Sequence, residues 1–148
     1  MTRDYPKRPY VGVGVVVWKG DHVLLVKRGK APRKGEWSLP GGGQELGETV
    51  REAAHREVLE ETDVHVDIVG LIDVVDAIRR DDSEAIEHHY TLVDFAAQWV
   101  SGDPKAADDA VDVKWVPYTD VKSYVSWDET IRIVEQSAFL VGHTAPTD

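Results

Sequence analysis

The chain has 148 residues, 42% hydrophobic and 30% charged, the make-up of one globular domain with enough mass to bury a core. Its formal net charge of −10 argues against nucleic acid as the main partner, and the absence of cysteine removes disulfides, thiolate metal sites and cysteine nucleophiles. The apolar run Val11–Trp18 is too short for a membrane span and no signal-peptide pattern opens the chain, so a cytoplasmic protein with no membrane partner is expected.

Residues 1–10 read as a charged, proline-bearing leader, 11–141 as a single domain and 142–148 as a loose tail. "VGVGVVVW" (11–18) alternates Val11, Val13, Val15 and Val17 against Gly12, Gly14, Val16 and Trp18. That pattern predicts a strand, with its glycines on one face as where a helix packs close. "KGDH" turns the chain, and "VLLVKR" (23–28) returns as the second strand of a hairpin. A basic loop runs from Gly29 to Trp37, and "SLPGGGQELGE" (38–48) reads as mostly turn. A helix is predicted over 50–62, where Thr49 and Glu52 fit a capping box. Residues 66–78 and 88–100 are strand-like around a polar hairpin, and 111–116 is another strand. Ser126 with Glu129 suggests a second capping box. It opens a final helix with Trp127, Ile131, Val134 and Ala138 along one side. Strands on both sides of one central helix predict a single α/β domain.

Charge is unevenly spread, with nine Lys/Arg and two acids in residues 1–34 and twenty-five acids and eight Lys/Arg in 35–148. A cation and a phosphate could sit side by side on such a chain, although a solvated surface with a basic tail is the simpler account of charge alone. The helix "VREAAHREVLEET" carries a sharper signal. On a wheel at about 100° per residue, Glu57 and Glu61 fall in the arc of Val50, Ala54 and Val58. Like charges at i,i+4 repel, and the core-facing stripe is a costly place for a carboxylate. A hard divalent cation such as Mg²⁺ or Mn²⁺ resolves both problems, with Glu57, Glu60 and Glu61 as its oxygen donors. Arg56 could orient one of them through a charge-assisted hydrogen bond.

The stretch "GGQELGETVREAAHREVLEETDV" (Gly42–Val64) resembles the Nudix box, G-x5-E-x7-R-E-U-x-E-E-x-G-U with U aliphatic. Gly42, Glu48, Arg56-Glu57-Val58, Glu60-Glu61 and Val64 fill its positions, and the one departure is Asp63 in place of the last glycine. That position follows the helix end, where a left-handed backbone is usual and Asp tolerates it better than most residues. The resemblance implies a Nudix-type α/β/α sandwich with a central mixed sheet. It also implies Mg²⁺- or Mn²⁺-dependent hydrolysis of a nucleoside diphosphate linked to another moiety. Carried over by position, it makes Glu57, Glu60 and Glu61 metal ligands, with Glu45 and the backbone at Gly41 within reach of the metal. Glu48 and Arg56 become structural or outer-shell residues.

Such a metal polarises the diphosphate and acidifies water, and a carboxylate takes the proton. Glu61 could do this, as could Asp108 or Asp109 in the loop before the "VKWV" strand, where an ordinary acidic loop is an equal reading. Lys27, Arg28, Arg33 and Lys34 are candidates for phosphate oxygens, beside Gly41 and Gly42, and Trp37, Tyr90 and Trp115 for base stacking. Ordinary exposed cations and core aromatics explain the same residues. ADP-ribose or a related nucleotide sugar is the preferred small-molecule substrate. A nucleoside triphosphate cleaved with release of pyrophosphate is the alternative, and a non-catalytic nucleotide-binding module is a minor one. By the same resemblance the protein is expected to be a homodimer, with the leader available to dock on a neighbour.

Overall fold

The alternation in residues 11–18 becomes the centre of a two-faced sheet in the computed structural model, which describes residues 3–30 and 33–143. Strand β1 (Tyr10–Lys19) sends Val13, Val15 and Val17 to one face and Val16 and Trp18 to the other, all buried. Burial on both faces marks a central strand. After it come β2 (His22–Arg28), β3 (Trp37–Ser38), β4 (Gly41–Gly43), helix α1 (Val50–Thr62), β5 (His65–Arg80), β6 (Ile86–Ser101) and β7 (Ala110–Pro117). A 3₁₀ turn (Tyr118–Asp120), α2 (Val121–Tyr124) and α3 (Asp128–Leu140) complete the described chain. The strands form one sheet in the order β3-β2-β1-β6-β5, with β4 added to β1 and β7 to β2. β1 and β6 run parallel and the other pairings are antiparallel, so the sheet is mixed, as expected.

The first face packs Val13, Val15, Val17, Leu24 and Phe95 under Ala53, Ala54 and Val58 of α1. The second packs Val16, Trp18, Leu25 and Val116 under Val121, Ile133, Val134 and Ala138 of α2 and α3. Each fully buried aliphatic side chain contributes about 1.5–3 kcal/mol, so these two layers fix the frame. Trp18, wholly buried, donates its indole N–H to Ser137 Oγ at 2.9 Å, which satisfies the one polar atom the ring brings inside.

Three expectations need correction. The triple glycine is a strand: Gly41, Gly42 and Gly43 pair with Gly14, Val13 and Gly12. A Cβ on Gly41 would meet the Val13 backbone, and one on Gly42 would meet the Glu57 carboxyl, so only glycine lets this strand slide in. The glycines of β1 do not face a helix; the places of their missing Cβ atoms are taken by Leu92 and Asp94 of β6. The Ser126–Glu129 capping box does not form, because α3 starts from Trp127 without a side-chain cap and Glu129 bonds Arg132 at 2.7 Å instead. Within the leader, Tyr5 N–H donates to the Glu87 carbonyl (2.8 Å), Tyr5 OH to Asp81 (2.8 Å), and Asp4 meets His88 (2.7 Å), contacts within the chain that leave the expectation of docking on a neighbour as it stood. Of the tail expected from Gly142, residues 144–148 lie outside the described residues.

Helix α1 is fixed at both ends. Thr49 Oγ accepts from Glu52 N–H at 3.0 Å while the Glu52 carboxylate accepts from Thr49 N–H at 2.9 Å, the predicted capping box. At the exit Asp63 takes φ 59° and ψ 30°, and its N–H reaches the Leu59 carbonyl at 2.9 Å. Left-handed backbone is strained for a residue with a Cβ. Asp63→Gly should therefore raise the stability to urea by up to about 1 kcal/mol, and Asp63→Val should lower it. Unchanged midpoints in both variants would show that the exit conformation carries no strain.

Candidate active site

The wheel placed Glu57 and Glu61 toward the sheet, and both are there. Glu61 is only 8% exposed and the Glu57 side chain 12%, whereas Glu60 stands 45% exposed on the helix flank. Strand β4 is what meets them. Gly41 N–H donates to Glu61 Oε1 at 2.7 Å, and the Glu57 carboxyl lies over Gly42.

Arg56 binds the cluster together. Its Nε and Nη2 grip both oxygens of Glu48 at 2.6 and 2.9 Å, and Nη2 also donates to the Gly43 carbonyl at 2.9 Å. Its Nη1 donates to Glu57 at 2.7 Å and Glu60 at 3.2 Å, and stands 3.7 Å from Glu45. Two-pronged pairing of this kind is strong and directional. Arg56 and the Glu45 N–H hold the Glu48 carboxyl down at about 2. Among the described residues no three acidic or imidazole groups stand at metal-ligand spacing, since Glu57 and Glu60 turn to Arg56 while Glu61 turns to Gly41.

The loop after β6 closes on the end of α1. Lys105 N–H bonds the Thr62 carbonyl at 2.9 Å and Ala107 N–H the Glu61 carbonyl at 3.0 Å. These bonds bring Asp108 and Asp109 close enough for their charges to act on Glu57 and Glu61 respectively. Asp109 is paired with Lys30 at 2.8 Å, and its carbonyl accepts from Gly29 N–H at 2.8 Å. Arg28 sits at a bulge opposite Ala110, and its charge favours ionised Glu61.

The other predicted residues scatter. Lys27 is half-buried between register partners Trp37 and Asp112. Arg33 goes to the second face, its guanidinium 5.2 Å from the centre of the Trp127 ring, and Trp37 goes there too, edge-on to Tyr124 at 5.7 Å. Trp115 packs on the first face and Tyr90 tilts toward Tyr10. Sequence reasoning missed Lys30, which lay in the basic loop beside the residues it did choose. It also missed Asp94, whose only signal was a charge inside the apolar run "TLVDFAA".

Burial pushes the Glu57 carboxyl up against the pull of Arg56. It pushes Glu61 from the ordinary 4.5 up to about 7, with Glu57 and Asp109 adding to the rise and the Gly41 N–H and Arg28 opposing it. The folded chain therefore holds this proton more tightly than the unfolded chain. The resulting stability is fully present below pH 4.5 and is lost as pH rises through 7. In chelator, Glu61→Gln should gain on the parent by about 3 kcal/mol between pH 4 and pH 8, read from urea unfolding at each pH. An unchanged difference would mean that Glu61 is not held in a dry, acidic setting.

Comparison with known proteins gives the frame an identity. A family model described as NUDIX domain matches residues 8–135. The chain is 32% identical over 130 residues to an ADP-ribose pyrophosphatase of Methanocaldococcus jannaschii, covering 80% of this chain and 75% of that one. It is 30% identical to the human 8-oxo-dGDP phosphatase NUDT18, covering 87% of this chain but only 38% of that longer protein. The crystal structure of a MutT NUDIX hydrolase from Burkholderia pseudomallei superposes with a TM-score of 0.74 at 28% identity, over 88% of this chain and 98% of that one. With the glutamate helix seated on the glycine strand and the family model spanning most of the sequence, this protein belongs to the NUDIX family of hydrolases.

Proposed function

We propose that the protein hydrolyses a nucleoside diphosphate linked to a second moiety, with ADP-ribose or a related nucleotide sugar as substrate, giving AMP and a sugar phosphate. The observation that carries this reading is the pair of carboxylates, Glu57 and Glu61, buried beside the Gly41–Gly42 backbone. Two raised, mutually repelling carboxyls fit a divalent cation well. Glu57, Glu60 and Glu61 would hold Mg²⁺ or Mn²⁺, with Glu45 at its edge. When bound, the cation would neutralise charge on the diphosphate and make water more acidic.

The chain's own groups do the rest. Arg56 holds Glu57 and Glu60 by charge-assisted hydrogen bonds and so limits the orientations open to their carboxylates. Glu61, at about 7, is ionised above neutrality and is the carboxylate best poised to take a proton from water. Asp109 is turned to Lys30, which leaves Asp108 as the second acid of that loop. Lys27 and Arg28 would meet phosphate oxygens; Arg33, on the second face beside Trp127, would meet the far part of the nucleotide. The name of the archaeal relative supports ADP-ribose. That of the human relative supports a second reading, a purine nucleoside diphosphate. A homodimer belongs to the same proposal. It is supported by Val69, Leu71, Val74 and Ile78, exposed on the edge strand β5, and sedimentation analysis tests it.

Incubation with Mg²⁺ and ADP-ribose, NADH, sugar nucleotides, dinucleoside polyphosphates or (d)NTPs, followed by chromatography, should yield AMP from ADP-ribose. Pyrophosphate from a triphosphate would instead select the alternative. Glu57→Gln and Glu61→Gln should each lower kcat by about 100-fold or more, with less effect on KM. Parental turnover in both variants would contradict the site.

A further inference from the structure

The mechanism leaves one buried acid unused. Asp94, on β6, is 6% exposed, and among the described residues its carboxyl accepts no hydrogen bond. An ionisable group left so is costly, and in native proteins it calls for a reason. Asp94 is the register partner of Gly14 in β1 and Asp73 in β5. Its Oδ1 leans into the place a Gly14 Cβ would occupy, beside Leu39, so Gly14 is what allows this orientation. Arg132 of α3 lies near but directs its guanidinium to Asp73 at 3.0 Å and Glu129 at 2.7 Å.

The surroundings of Asp94 are only partly covered. Along the second face of β6, Ala96 is wholly buried, Asp94 nearly so and Leu92 only half-buried, so Asp94 stands where the core gives way to a solvent-reached floor. Gly14 and Leu39 are half-buried too, as is Trp127 at the start of α3. A flat, aromatic guest fits a floor of glycine backbone and half-covered apolar walls. Asp94 and the catalytic cluster lie on opposite faces of the sheet and are joined through neighbouring strands: Gly14, the register partner of Asp94 in β1, pairs with Gly41 of β4, whose N–H holds Glu61.

We propose that Asp94 selects the nucleobase, its carboxylate accepting a hydrogen bond from the exocyclic amino group of an aminopurine. Adenine and guanine both present such a donor, and hypoxanthine does not. Burial, with the negative charges of Asp73 and Glu129 against the opposing pull of Arg132, leaves this carboxyl at about 6, so it is an acceptor at neutral pH. The inference rests on the nucleotide reading above, and its test is binding without turnover.

AMP, GMP and IMP are titrated calorimetrically into the metal-free protein, the parent and Asp94→Asn. AMP, GMP or both should bind the parent about tenfold or more tightly than IMP, and whichever does so names the purine. In Asp94→Asn, whose amide both donates and accepts, that preference should collapse to within about threefold. IMP binding the parent as tightly as both aminopurines overturns the proposal, and the parent comparison needs no variant to fold. So does a preference that Asp94→Asn leaves intact. If none of the three binds the parent, base selection by Asp94 is wrong, while product analysis decides separately whether the protein is a hydrolase.

Discussion

A single guanidinium organises this site. Arg56 spends its donors on Glu48, Glu57, Glu60 and the Gly43 carbonyl, and so ties the loop before α1, the helix itself and strand β4 into one unit. Without it, the helix would carry several carboxylates on neighbouring turns with nothing to orient them, and like charges at that spacing push a helix apart. Arg56 does not reach Glu61, which is left to one backbone N–H and to burial. The cluster is thereby graded, with Glu48 held far below the ordinary range, Glu57 raised by burial and Glu61 near neutrality. The loop before α1 thus offers a firmly ionised anchor, Glu48, and the helix an acid, Glu61, that exchanges a proton near pH 7.

The grading depends on how close the backbone comes. Gly41 and Gly42 let β4 press against β1 on one side and the glutamates on the other, where any side chain would intrude. Loop 102–109 adds a second clamp by bonding the last carbonyls of α1, which otherwise lack partners. Those bonds also carry Asp108 and Asp109 to the mouth of the site. Helix stop, loop anchor and electrostatic setting are therefore one construction, and Asp63 closes it as well as glycine would, at some cost in strain.

Periodicity made much of this legible. The wheel placed Glu57 and Glu61 on the buried arc of α1 because helical geometry is local, and the capping box at Thr49 is local too. What could not be read were features set by distant partners. The triple glycine looks like a turn until β1 is known to lie beside it. Ser126 and Glu129 have the spacing of a cap, but Arg132 one turn on takes the glutamate. Arg33 and Lys30 are nearly adjacent in a basic loop, yet one goes to Trp127 and the other to Asp109, a divergence set by tertiary packing. Asp94 was hidden for the same reason, since an acid in a strand gains meaning only when it is seen buried without a hydrogen-bond partner among the described residues.

The account holds that Glu61 is kept buried and ionised at a cost that a divalent cation offsets. The direct measurement is the thermal midpoint of Glu61→Gln against the parent at pH 8, once in chelator and once in excess Mg²⁺. Removing the charge should make the variant the more stable protein in chelator. In Mg²⁺ the order should reverse, because the parent alone keeps the full ligand set. The same order in both media would contradict the account.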